Sequence, residues 1–179
     1  MDQILNVTKP KTVLINGDLK HQFGGISREE WKEVLQFLDY LLKRVKEVII
    51  VQGNHDPIIK PIADKRNVKV VKELEFEEGL VVHGDEIIET DKDVVVIGHE
   101  HPAISIKEGS KVERFKCFLK GKFKDKTVIV VPSFNPLLEG TDVLQGRMLS
   151  PYLKKVDDFN VFVVNKGEAF GFGLVKDLM

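Results

Sequence analysis

Four short apolar runs in this chain are each closely followed by glycine together with aspartate, asparagine or histidine. The pairs of run and motif are residues 12–16 with Gly17-Asp18, residues 48–51 with Gly53-Asn54-His55-Asp56, residues 80–82 with His83-Gly84, and residues 94–97 with Gly98-His99-Glu100-His101. Short apolar runs that end at glycine are typical of buried strands in an α/β sheet. Ligand sites of such sheets lie beyond the carboxyl ends of the strands. We therefore predict an α/β fold with a polar site at these strand ends.

The residues at the strand ends are a chemically consistent set of metal ligands. All histidines of the chain follow one of the runs, and they are His21, His55, His83, His99 and His101. Imidazole nitrogens combined with carboxylate and amide oxygens suit Mn, Fe, Zn or Ni better than Ca or Mg alone. A single polar residue at a strand end is as readily an ordinary turn residue, but here four strands share the pattern. We predict a metal site formed by Asp18, Asn54, His83, His99 and His101.

His55 and Asp56 are candidates for catalysis rather than for metal binding. If the side chain of Asn54 reaches a metal, the neighbouring ring of His55 must face elsewhere. It is then placed to protonate or polarise a leaving oxygen, and Asp56 could hold its ring and tautomer. Two metals about 4 Å apart would activate water and clamp a phosphate ester, so the set favours phosphate-ester chemistry.

His21 lies in a loop, residues 20–25, that contains two glycines. Three hypotheses stay open for its side chain: contact with substrate, a compensating metal ligand, or an ordinary surface histidine. We retain His21 as a candidate for substrate binding.

The composition limits the partners and the location of the protein. The 179 residues suit one domain, and a formal net charge of −1 gives no global polybasic or polyacidic character. Cys117 is the only cysteine, which fits a reducing cytosolic setting. No apolar stretch reaches the roughly 20 residues of a membrane span, so we predict a soluble cytoplasmic protein. The abundance of Lys and Glu is the balance reported for thermophile proteins.

The periodicity predicts α/β structure in the first half and largely antiparallel strands in the second. Helices are expected at the start of residues 1–10, from a capping box of Ser27 and Glu30 to about Val45, and at residues 57–66, where Pro61 would interrupt the helix. Further strands are expected at residues 68–71, 75–82 (as one long strand), 103–106, 112–119, 128–131 and 159–164. No linker that would split the chain into domains is evident, so we predict a single domain over residues 1–179.

The four motifs resemble four of the five signature blocks of the calcineurin-like metallophosphoesterases, and they occur in the family's order. Within that superfamily, the sequence is similar to those of the small archaeal phosphoesterases related to the SbcD nuclease. The similar segments are residues 16–21, 98–103, 115–119 and 132–140. The resemblance covers essentially the whole chain. It implies an α/β/β/α sandwich with a binuclear metal centre, usually activated by manganese.

The resemblance also implies a role for each matching residue. Asp18 would bridge two metals, Asn54, His83 and His99 would bind the second metal, His101 would bind the first, and His55 would assist the leaving group. The implied reaction is hydrolysis of phosphodiester bonds, including those of nucleic acid, by attack of metal-bound hydroxide with no covalent enzyme intermediate.

One block of the family is absent, because no Asp-x-His occurs in this sequence. The family places it on a first strand before Asp18, so we expect the sandwich to lack that strand. We then expect only one tightly bound metal, and self-association in which another copy fills the gap. Two hypotheses follow: the chain starts at an internal methionine of a longer enzyme, or it is a catalytically impaired homologue that acts as a binding or assembly subunit.

Two further segments carry weaker signals. Residues 107–126 are rich in lysine interleaved with phenylalanine, which fits either a basic hairpin that contacts nucleic acid or an amphipathic hairpin with solvated lysines. The side chains of residues 132–140 do not point to a chemical role, and we expect a buried turn there.

Overall fold

The computed structural model describes residues 1–19, 25–145, 147–165 and 168–179, with only the backbone of Asn165. It divides into two compact units, Met1–Leu74 and Glu75–Met179. Each unit has its own apolar core, and the single domain stays a prediction. Among the described helices, none has the length and apolar character needed to cross a membrane.

The first unit is a three-stranded parallel sheet with three helices. Its elements in chain order are α1 (Asp2–Thr8), β1 (Thr12–Asn16), α2 (Arg28–Leu42), β2 (Glu47–Val51), α3 (Lys60–Asp64) and β3 (Lys69–Val71). The strands lie in the order β1-β2-β3, and both pairs are parallel. The connection from β1 through α2 to β2 is therefore a parallel strand-helix-strand crossover, which agrees with the α/β structure predicted for the first half.

The helices of this unit begin and end for local reasons. The Ser27 hydroxyl accepts a hydrogen bond from the backbone N–H of Glu30 at 3.0 Å, so this half of the predicted capping box is confirmed. Helix α2 ends at Leu42 rather than near Val45, although Val45 is still buried. Pro61 lies in the first turn of α3, where its missing N–H costs nothing, so the predicted interruption was wrong.

The second unit contains most of a nine-stranded sheet. Its strands are β4 (Glu73–Phe76), which crosses the division between the units, β5 (Gly79–Val82), β6 (Val94–Ile97), β7 (Pro102–Glu108), β8 (Lys111–Phe123), β9 (Lys126–Val130), β10 (Thr141–Asp142), β11 (Asn160–Asn165) and β12 (Glu168–Leu174). Single 3-10 turns lie at Val143–Gln145, Pro151–Leu153 and Val175–Asp177. The sheet order is β10-β7-β8-β9-β6-β5-β4, with β11 paired to β8 and β12.

The strands of this unit agree only in part with the sequence expectations. The long strand at residues 75–82 is two strands, because the chain turns before Gly79, where a Cβ would overlap the ring of Phe76. The second half is largely antiparallel, as predicted, through the pairs β7–β8, β8–β9, β8–β11 and β11–β12. In addition, β6 pairs in parallel with β5 and β9, and β7 pairs in parallel with β10. Strand β12 was missed because Gly171 and Gly173 interrupt its apolar alternation.

The centre of strand β8 lies in the apolar core of the second unit. Cys117 and Leu119 are completely buried, and Phe115 and Phe123 pack against the same cluster. Burial raises the pKa of the Cys117 thiol to about 12, so the side chain is a neutral apolar filler. The phenylalanines at 115 and 123 therefore have a packing role, as the amphipathic-hairpin hypothesis requires.

Truncating the centre of β8 should destabilise the protein strongly. Leu119→Ala leaves a cavity among packed side chains, and we expect the free energy of unfolding to fall by about 2–5 kcal/mol in urea denaturation. Val112→Ala is the matched control on the same strand, because Val112 is 60% exposed, and it should cost less than about 1 kcal/mol. Equal losses would contradict this view of the core.

Candidate active site

In the first unit, Asp18 lies at the end of β1 and contacts the loop that follows β2. Its Oδ1 accepts a hydrogen bond from the backbone N–H of His55 at 3.1 Å. Both side chains are half-buried, and Asn54 beside them is exposed. The carboxylate therefore fixes the backbone of the residue predicted to act on the leaving group.

Asp56 connects the loop after β1 to the loop after β2. Its carboxylate is completely buried, and Oδ2 accepts hydrogen bonds from the backbone N–H groups of Gly53 at 3.2 Å and Leu19 at 3.3 Å. The N–H of Asp56 donates in turn to the carbonyl of Gly53 at 3.0 Å. Asp56 thus joins the ends of β1 and β2, whereas its predicted hold on the ring of His55 stays a prediction.

Gly53 is required by the close approach of these loops. A Cβ at this position would overlap both the backbone nitrogen and Oδ1 of Asp18. Any side chain at residue 53 would therefore displace the Asp18 carboxylate. Here glycine serves a packing need that the motif alone does not reveal.

In the second unit, the rings of His83 and His99 meet edge to face. Nε2 of His83 and Nδ1 of His99 are 3.2 Å apart, and the ring planes meet at 73°. Two nitrogens that bind one tetrahedral ion at about 2.0–2.1 Å are separated by roughly 3.4 Å. The observed spacing, which is also a hydrogen-bonding distance, therefore fits two ligands of one metal ion.

Three of the predicted ligands have a left-handed backbone conformation. The φ angles are 51° at Asp18, 51° at His99 and 50° at His101. A residue with a Cβ pays roughly 1–2 kcal/mol for this conformation. Such residues concentrate at functional sites, where the surrounding structure holds them in place.

Glu100 and Ser150 hold together the segments that carry the second unit's histidines, and neither residue was predicted from the sequence. Glu100 is buried, and its Oε2 accepts the backbone N–H groups of Leu149 at 2.7 Å and Ser150 at 2.9 Å. The Ser150 hydroxyl donates to the carbonyl of Gly84 at 2.6 Å. The network links the chain after β6 to the chain after β5. A charged residue between two predicted ligands was the available signal for Glu100, and Ser150 carried none.

The remaining candidates have different outcomes. His101 is half-buried, and its carbonyl accepts the N–H of Thr141 at 2.9 Å. His21 lies outside the described residues, so its predicted substrate contact stays a prediction. The described histidines all follow the carboxyl end of a strand, as the sequence predicts.

The sequence matches the family model described as calcineurin-like phosphoesterase over residues 1–164. The chain belongs to the calcineurin-like phosphoesterase family. The predicted family is thereby confirmed, and so is the predicted fold class, because mixed parallel and antiparallel sheets with few helices agree with the metallophosphoesterase fold. No curated protein matches the sequence.

Solved structures of the same fold include the nuclease MPE from Pseudomonas putida. It is 18% identical, with a TM-score of 0.64 over 96% of this chain and 76% of that chain. A Vps29 double mutant from Entamoeba histolytica is 14% identical, with a TM-score of 0.36 over 96% and 87% of the two chains. Zinc-bound wild-type Vps29 from the same organism is 14% identical, with a TM-score of 0.32 over 89% and 96%.

The Ser150 hydroxyl should contribute measurably to stability. Ser150→Ala removes the donor to the buried carbonyl of Gly84, and we expect the free energy of unfolding to fall by about 1–3 kcal/mol in urea denaturation. Ser110→Ala, at an exposed turn, is the control and should change it by less than about 0.5 kcal/mol. No difference between the two variants would show that this bond adds nothing.

Proposed function

We propose that this protein is a metal-dependent phosphodiesterase that hydrolyses phosphodiester bonds, including those of nucleic acid. The observation that carries the proposal is the 3.2 Å spacing of the His83 and His99 ring nitrogens in a chain of this family. Members of the family use divalent metals. Phosphate esters are therefore the substrate class to test first.

The proposed metal ligands are those the sequence singled out. Asp18 would serve both metal positions, His101 would hold the first metal, and Asn54, His83 and His99 would hold the second. We propose that one ion is held tightly per chain, and that manganese is the native metal, with Fe, Zn or Ni as substitutes. A bound divalent ion supplies activation of water and neutralisation of phosphate charge.

His55 is the proposed proton donor to the leaving oxygen. Its backbone is held by the Asp18 carboxylate, which limits where the imidazole can reach. Asp56 acts as a positioning residue, since its carboxylate joins the loop after β1 to the loop after β2 that carries His55. The neutral imidazole left after transfer is ready to take a proton from water in the next cycle.

The finer assignments are part of the same proposal. The Pseudomonas putida protein of similar fold is a nuclease, and we propose nucleic acid as the phosphodiester substrate of this protein. We further propose a thermophilic archaeal protein related to the SbcD nuclease and located in the cytoplasm, which the Lys and Glu content and the single cysteine support.

The role of His55 can be tested with leaving groups of different quality under manganese titration. A dinucleotide has a poor leaving group that needs a proton, whereas 4-nitrophenolate leaves without one. We expect His55→Ala to slow dinucleotide hydrolysis by about 10²- to 10⁴-fold and to slow hydrolysis of thymidine 5′-(4-nitrophenyl phosphate) much less. Rates for the two substrates, measured in parallel, give the ratio directly.

Metal content separates a lost proton donor from a lost metal site. His55→Ala should keep the manganese stoichiometry of the wild type, and His83→Ala should lose it in elemental analysis. Two tightly held ions per chain would contradict our ligand count. If the wild type hydrolyses neither substrate, the phosphodiesterase proposal fails and the binding or assembly subunit replaces it.

Self-association is a separate part of the proposal. Among the described residues, β1 pairs with β2 and leaves its other edge without a strand. Unpaired edges favour pairing with another chain, so we expect a dimer in sedimentation velocity at micromolar concentration. A monomer at all concentrations would contradict the proposed self-association, and the proposed phosphodiesterase activity would not be affected.

A further inference from the structure

The loop at residues 132–140, which joins β9 to β10, presents apolar side chains to solvent. Phe134 is 61% exposed and Leu137 is 87% exposed. The buried turn expected from the sequence was therefore wrong. Two large apolar residues exposed three positions apart on one short loop are unusual, because exposing them forgoes the stabilisation that burial would give.

Hydrogen bonds inside the loop hold this exposed pair in a defined conformation. The Ser133 hydroxyl accepts the N–H of Asn135 at 3.2 Å, and the Asn135 side-chain oxygen accepts the N–H of Leu137 at 3.0 Å. The carbonyl of Asn135 also accepts the N–H of Leu138 at 3.2 Å. Side-chain turns of this kind fix a loop locally, so Phe134 and Leu137 are displayed by an ordered turn.

Lys116 attaches the loop to the sheet. Its ammonium donates to the carbonyl of Ser133 at 3.0 Å and also to the carbonyl of Asn135. Lys116 lies opposite Ala103 in the β7–β8 pair, two residues after His101. The loop therefore lies within one lysine side chain of the strand that begins just beyond a predicted metal ligand.

The end of the loop is joined to His101 itself. The N–H of Thr141 donates to the carbonyl of His101 at 2.9 Å. Gly140 has a φ of 86°, and a Cβ there would overlap the same carbonyl oxygen. The exposed pair is thus carried by a loop whose middle and end are both anchored beside the proposed site.

We propose that Phe134 and Leu137 form a substrate-binding platform that stacks on a nucleobase beside the scissile phosphodiester. An aromatic face stacks on every base, because every base has a π-face, and a neighbouring apolar side chain extends that contact. This inference rests on the proposed function, since it names the group attached to the phosphate at that same site. It assigns single-stranded nucleic acid as the substrate class.

The test separates contacts with bases from contacts with phosphates. Stopped-flow fluorescence anisotropy compares a labelled thymidine octamer with an abasic octamer of equal length, with manganese bound and read directly after mixing, before the strands are cut. We expect the wild type to bind the thymidine octamer at least about tenfold more tightly, and Phe134→Ala to abolish most of that difference. Phe134→Trp should restore it, because the stacking surface returns.

Phe170→Ala is the matched control. Phe170 is an exposed phenylalanine on β12, so its loss removes the same apolar group from another part of the second unit. We expect it to leave binding of both octamers unchanged. An equal loss in Phe134→Ala and Phe170→Ala would overturn the platform, because the effect would then be general.

Two results distinguish this inference from the proposed function. If the wild type hydrolyses thymidine 5′-(4-nitrophenyl phosphate) but binds both octamers equally, the platform fails and the phosphodiesterase stands. If the base preference depends on Phe134 but neither phosphodiester is hydrolysed, the platform stands as a binding site and the phosphodiesterase fails. Insertion of Phe134 into neutral lipid vesicles without binding of either octamer would assign the loop to a membrane surface and overturn the proposal.

Discussion

The parallel register of β5 and β6 is the constraint on which the second unit's site depends. Val82 pairs with Ile97, and the ladder continues one step further, where the N–H of Gly98 donates to the carbonyl of His83 at 2.9 Å. His99 then follows at once, with a left-handed backbone. A slip of one residue would turn every side chain of a strand to the opposite face, so the register decides whether the two rings can meet.

Both units use a buried carboxylate to hold strand-end loops, although the two carboxylates come from different motifs. Asp56 accepts two backbone N–H groups in the first unit, and Glu100 accepts two in the second. A buried carboxylate is expensive unless such donors surround it. The Glu100 carboxylate is held through Oε2 alone, and its buried Oε1 has no hydrogen-bond partner among the described residues. Moving either loop would therefore take donors away from a buried carboxylate.

The sequence predicts the strand ends well because apolar runs and glycines act locally. The donor set stays a prediction, and His83 and His99, whose ring nitrogens lie 3.2 Å apart, belong to it. It does not predict the partners of Glu100, which come from residues 149 and 150, because a tertiary contact leaves no local pattern. The sequence also predicts the wrong environment for residues 132–140. Phe134 and Leu137 are apolar, as buried residues usually are, and this led to the prediction of a buried turn. The side chain that anchors their loop, Lys116, lies on another strand and leaves no local signal.

The placement of Glu100 between two strained histidines has an energetic reason. His99 and His101 each pay roughly 1–2 kcal/mol for their left-handed backbone. Hydrogen bonds to a charged acceptor contribute about 1.5–3 kcal/mol each, and Glu100 receives two of them. Burial of Oε1, which has no hydrogen-bond partner among the described residues, reduces this gain. The two bonds therefore fix the position of Glu100, and with it the backbone of the histidines on either side. Strain at His99 and His101 and the hydrogen bonds of Glu100 are therefore encoded in three consecutive residues.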